Sequence, residues 1–149
     1  MSINKSTISA KEKLPATKAM RAFARIQRFT AFLSWLSPAL AARWAALLYS
    51  VPTRTGKSLQ HLPALASARR IFLQTPGGKK IEFFALGTGP AVLLVHGWSG
   101  SGSQWQHAAS ALANAGYCAV VFDAPAHGRS PGRTTSTMEM ADCIHAWVR

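Results

Sequence analysis

The chain has 149 residues, enough for one domain with a core, and 48% of them are hydrophobic, which excludes a chain disordered throughout. Its formal charge of +12 is lopsided: residues 1–60 carry ten Lys/Arg against Glu12 alone, and residues 61–149 carry seven against four acids. A basic arm of this kind suits an anionic surface, phospholipid or nucleic acid, or is simply a solvated helix face. Cys118 and Cys143 have neither motif spacing nor further partners. They read as small core residues, so no disulfide framework, metal or cofactor is expected.

From Lys18 the pattern is helical. Ile26, Phe29, Leu33 and Leu36 recur at steps of three and four, with Arg21, Arg25 and Arg28 along the flank. Ser37-Pro38 interrupts the run, because proline is disfavoured inside a helix but welcome at its first position with a serine cap before it. Two helices are expected, over residues 18–36 and 38–50, the second carrying Leu40, Trp44, Leu47 and Leu48. A membrane span needs about 20 apolar residues, and Arg28 and Arg43 bracket fewer, with Pro38 inside. Ala39-Leu40-Ala41 has the form of a signal-peptide cleavage site, but the basic lead-in is too long for one. The arm therefore either packs on the rest of the chain or lies on a membrane as an amphipathic helix.

Residues 51–57 read as a linker. Gly56-Lys57-Ser58 is not a phosphate loop, since Val51 stands where that motif needs its first glycine and no strand precedes it. A strand at 70–74, a turn at Pro76-Gly77-Gly78 and a strand at 80–86 form a hairpin, with Ile81 and Phe83 alternating against Glu82 and Phe84. Residues 91–95 and 117–122 are apolar without alternation, as strands covered on both faces are. Helices at 103–115 and 135–149 follow them, so strand, helix, strand, helix implies a parallel pair.

Two motifs close these strands. His96-Gly97-Trp98-Ser99-Gly100 follows the first, and Asp123-Ala124-Pro125-Ala126-His127-Gly128-Arg129-Ser130 follows the second. In this order, with an amphipathic helix between them, they resemble the α/β-hydrolase family. The first is similar to that family's H-G-x-x-G oxyanion loop, the second to its D-x-P-x-H-G-x-S turn. The resemblance runs from Ile71 to Arg149. It implies an α/β fold: an incomplete α/β-hydrolase sheet, with an opening hairpin plus two strand–helix units, preceded by an amino-terminal helical arm. Bacterial hydrolases similar to this one look as if they carry such a leader, which favours packing of the arm. The expected division is a basic, disordered tail at 1–17, a helical arm and linker at 18–60, and the hydrolase part at 61–149, truncated before the nucleophile elbow.

Acyl transfer puts negative charge on a carbonyl oxygen, and fixed backbone N–H groups in a dry site stabilise it. By resemblance, Trp98 donates one such N–H, and the other belongs to the residue after the nucleophile. Gly97 is expected to let the chain turn sharply after the strand. His96, Ser99, Gly100, Asp123, His127 and Gly128 are expected to shape the site. His96, His127 and Asp123 are not the triad base or acid, because in this family both follow the nucleophile in the chain. The Ser99 frame fails as an elbow, since Ser101 stands where its second glycine is needed. Ser101, Ser103 and Ser130 are candidates by residue type alone, and Arg129 and Arg133 receive no role.

The chain is thus expected to be the amino-terminal part of a serine-esterase-like hydrolase, inactive alone. Its substrate would be a small ester-like molecule only in a complete relative. The alternative is a non-catalytic module that docks on a membrane or a partner protein. Weak contact with anionic membrane through residues 18–50 is allowed, and nucleic-acid binding is not expected. The expected location is the cytoplasm, or its membrane periphery.

Overall fold

The computed structural model describes residues 17–54 and 56–149. Apart from Thr17, the expected basic tail lies outside the described residues. The chain divides into two compact units, Met1–Ala46 and Leu47–Arg149.

In the first unit, α1 (Lys18–Leu36) begins where the Thr17 side chain accepts from the Met20 N–H, and ends where Ser37 is extended. Pro38 then opens α2 (Pro38–Ser50), with the Ser37 hydroxyl accepting weakly from the Leu40 N–H at 3.5 Å. The two helices meet through Trp44. Its ring sits edge-on to Phe29 at 5.1 Å, and its Nε1–H donates to the Thr30 hydroxyl at 3.2 Å.

The second unit is a four-stranded sheet of order β1-β2-β4-β3, where β1 is Arg69–Gln74, β2 Lys80–Leu86, β3 Ala91–Leu94 and β4 Cys118–Phe122. The hairpin turn between β1 and β2 needs Gly78, whose φ is +77°. β2 pairs antiparallel with both β1 and β4, while β3 and β4 are parallel. Helix α3 (Gln106–Asn114), entered through a 3-10 turn at Gly102–Trp105, connects β3 to β4, and α4 (Thr137–Val148) follows β4.

Each face of the sheet has its own core. Ala119 and Val121 of β4 point to α3, together with Phe84, Leu86 and the buried leucines Leu59, Leu62 and Leu65 from two short 3-10 turns. Val120 and Phe122 point the other way, with Ile81, Phe83 and Cys143 of α4. The alternation in β2 does not separate a buried face from an exposed one. Phe84 is buried like Ile81 and Phe83, because Leu59, Leu62, Leu65 and α3 cover its face of the sheet and α4 covers the other. Conversely, β3 is only partly buried, since among the described residues β4 is its one neighbour.

Cys143 is buried and unpaired, and burial pushes its thiol up to about 12, which removes it as a nucleophile near neutral pH. At the start of α4 the Ser136 hydroxyl accepts from the Glu139 N–H, and Lys79 of the hairpin turn donates to both Glu139 oxygens, at 2.7 and 2.8 Å.

Candidate active site loops

The two motifs lie side by side because β3 and β4 are parallel neighbours, so the loops after them leave the same end of the sheet. They are stitched together reciprocally. His96 accepts from the Ala124 N–H through Nε2 at 3.0 Å, and His127 accepts from the Ser99 N–H through Nε2 at 3.0 Å. In each ring the other nitrogen faces a carbonyl: His96 Nδ1 that of Gly97 at 2.8 Å, His127 Nδ1 that of Pro125 at 3.0 Å. A ring that accepts at Nε2 and donates at Nδ1 is neutral, with one tautomer fixed. Both histidines are buried, with ring centres 5.0 Å apart. Neither has a nitrogen left to take a proton from a substrate without breaking a loop contact.

Asp123 supplies a second clamp. One carboxylate oxygen accepts from the Gly102 N–H at 2.8 Å and the other from the Arg129 N–H at 3.0 Å. Its backbone carbonyl accepts from the Ser130 hydroxyl at 2.6 Å. Gly128 packs directly under it: at φ +45°, a Cβ there would lie 2.1 Å from the carboxylate.

The loop after β3 turns at Ser99, which has φ 57°. Gly97 does not take the role expected of it. Its φ is outside the left-handed region and an added Cβ would meet nothing within 4 Å. What the glycine leaves is open space beside the backbone, next to Trp98. The Trp98 ring is stacked flat on Tyr49 at 4.6 Å and edge-on to His127 at 5.4 Å. Among the described residues, nothing accepts from the Trp98 N–H.

Residues read as a plain linker also reach these loops. The Thr53 N–H donates to the Ser99 hydroxyl at 3.0 Å. Arg54 donates to the Gly128 carbonyl at 3.2 Å and also to that of Gly132. Gly56 lies so close to Ser101 that a Cβ would come within 1.9 Å of its hydroxyl, which explains that glycine without any phosphate. No local pattern announces these contacts.

The serines do not assemble a nucleophile. Ser101 and Ser103 bond each other at 2.6 Å, and Ser103 also accepts from the Lys57 N–H. One elbow-like pattern escaped the sequence reading: Gly128-Arg129-Ser130-Pro131-Gly132 spells Gly-x-Ser-x-Gly. Its serine is buried, its hydroxyl is spent on the Asp123 carbonyl, and no helix starts until Thr137. It is a clamp in a turn and not a strand–turn–helix elbow. Asp123, Arg129 and Ser130 also line a cavity of about 310 Å³ with Phe72, Lys80 and Glu82, which Trp98 does not line. No group of three or more His, Cys, Asp or Glu suited to a metal occurs among the described residues, and no described helix is long and apolar enough to cross a membrane.

With this geometry in view, the family model described as the alpha/beta hydrolase fold matches residues 90–149. Residues 90–149 belong to the α/β-hydrolase family. The chain is 43% identical over 58 residues to the uncharacterized hydrolase YraK of Bacillus subtilis, covering 39% of the chain and 21% of the relative. A second relative, bifunctional epoxide hydrolase 2 of Sus scrofa, is 31% identical over 83 residues, 51% of the chain and 15% of that protein. The chain thus spans about a fifth of the first of these curated relatives and less of the second. Among solved structures, an esterase of Pyrococcus furiosus superposes with a TM-score of 0.56 at 22% identity, over 67% of this chain and 40% of that one. At that identity the likeness concerns the fold.

Burial pushes His127 below its ordinary value of 6.5, ahead of any effect from neighbouring charges. Its folded pKa is therefore lower than its unfolded one. The stability it contributes is present above about pH 6.5 and is lost as pH falls, because the protonated ring cannot accept from Ser99. The Lys79 contact holds the Glu139 carboxyl below its usual range, so its own loss falls at lower pH. His127→Gln offers an acceptor that does not titrate. Urea midpoints followed from about pH 7 to about pH 5.5 should fall less steeply for this variant than for the native chain. Equal slopes would remove His127 from the account.

Proposed function

We propose that these residues supply the oxyanion side of a hydrolase site that acts on carboxylic esters or related acyl compounds. The observation that carries this reading is the Trp98 N–H. It lies just beyond β3, without an acceptor among the described residues, beside the open space at Gly97. The loop that holds it is fixed by His127 and Asp123, and pre-fixed donors are what a developing oxyanion needs. The names of the relatives support hydrolysis and include both esterase and epoxide hydrolase. An ester is preferred because the loop reads His-Gly-Trp-Ser and lacks the H-G-x-P form associated with epoxide hydrolases.

The 149 residues alone are proposed to be inactive. Every candidate serine in the loops is engaged in a loop contact, and each loop histidine has both ring nitrogens engaged. A nucleophile, its acid and its base have to come from outside them. A chimaera of residues 1–149 followed by the carboxy-terminal remainder of the Bacillus subtilis relative tests this. It should hydrolyse short acyl esters, whereas the chain alone should not exceed its own Ser99→Ala, Ser101→Ala double variant. A folded chimaera that opens epoxides and leaves esters intact would contradict the ester assignment.

A further inference from the structure

Helix α1 carries a stripe that its partner helix does not cover. Arg21, Arg25, Arg28, Phe32 and Trp35 recur at alternating steps of four and three, so they lie along one face. Phe29 and Thr30, which hold Trp44 of α2, point roughly 80° and 180° from the middle of that face at 3.6 residues per turn. All three arginines are exposed, as are Phe32 at 53% and Trp35 at 81%. Phe32 and Trp35 touch only loosely, with ring centres 6.3 Å apart. Leu36 and Leu40 extend the exposed apolar end across the α1–α2 junction.

Charge indicates the occupant. Residues 17–46 contain Lys18, Arg21, Arg25, Arg28 and Arg43 and no acid, and none of the five is in an ion pair among the described residues. A face so charged repels basic surfaces and its own copies, and attracts a dense anionic one. The lengthwise order of this face matters too: Arg21, Arg25 and Arg28 come first, and Phe32 and Trp35 follow them. Single-stranded nucleic acid is bound by aromatics set along a basic groove, where bases stack on them. Aliphatic Leu36 and Leu40 offer no such stacking, whereas a lipid interface accepts tryptophan, phenylalanine and leucine below a layer of phosphates.

We propose that α1 docks on an anionic phospholipid surface, with Arg21, Arg25 and Arg28 at the lipid phosphates and Phe32, Trp35, Leu36 and Leu40 in the apolar layer beneath. Docking is peripheral, as no described helix can span a bilayer.

Co-sedimentation of the full chain with phosphatidylcholine vesicles, with and without phosphatidylglycerol, tests it. The native chain should partition onto the anionic vesicles and be released by salt. Arg21→Gln, Arg25→Gln, Arg28→Gln together should weaken partitioning about 100-fold, at roughly fivefold per arginine. Phe32→Ser with Trp35→Ser should weaken it as well, and because all five side chains are exposed, helix content by circular dichroism should stay unchanged in both variants. Equal binding to neutral and anionic vesicles, or no binding to either, would overturn the proposal. So would native-like partitioning of either variant, or binding to duplex DNA that the serine pair leaves intact.

Discussion

Asp123→Ala should lower the unfolding free energy by about 3 kcal/mol, the largest loss expected from any polar side chain in the two loops. Asp123 is 4% exposed, and its carboxylate accepts from two backbone N–H groups in different segments, Gly102 and Arg129. Alanine leaves both donors without a protein partner, and the buried one, on Gly102, alone costs about 1–3 kcal/mol. The effect spreads because Gly102 opens the 3-10 turn into α3, and Arg129 lies in the turn held by the Ser130 hydroxyl. Asp123→Asn should fall between alanine and the native residue, since an amide presents one acceptor and turns its NH2 towards the other N–H. Urea unfolding reads this as a lower midpoint at unchanged slope. A change below about 0.5 kcal/mol, the usual size for a surface substitution, would show that Asp123 is not the clamp its geometry describes.

In the chimaera, Trp98→Pro should reduce kcat for ester hydrolysis about 100- to 1,000-fold, the usual cost of losing one oxyanion donor. Proline has no N–H, so the substitution deletes the donor assigned to the oxyanion. Trp98→Ala keeps that N–H and removes the ring stacked on Tyr49 and set against His127. It should act mainly on stability or KM, with kcat largely retained. The comparison separates backbone from side chain. If alanine and proline reduce kcat equally, the ring matters and the N–H does not.

The parts of the fold that could be read from sequence are those with local signals. The continuous apolar run of β4, the Ser136 cap of α4 and the Ser37-Pro38 break between α1 and α2 each follow from adjacent residues. Both loop motifs are contiguous too, which is why the family was legible. What escaped was non-local. Phe84 alternates with Ile81 and Phe83, and alternation alone does not reveal that the distant Leu59, Leu62 and Leu65 and α3 cover its face as well. Thr53 and Arg54 reach partners 46 and 74 or more residues away, so a short polar stretch passed for a linker. Leu59, Leu62 and Leu65 recur every three residues, a weak sign of the 3-10 turns that bury them. Gly128–Gly132 shows the opposite failure. Its letters spell an elbow while its hydroxyl is tied to Asp123, and only structural context tells the two apart.

The central proposal is that the described residues hold an oxyanion loop and no nucleophile of their own. Labelling with a fluorophosphonate probe tests it most directly, with the modified serine located by peptide mass. The chain alone should remain unlabelled. The chimaera should carry one adduct, on a serine contributed by the carboxy-terminal remainder. A stoichiometric adduct on Ser99, Ser101, Ser103 or Ser130 would contradict the account.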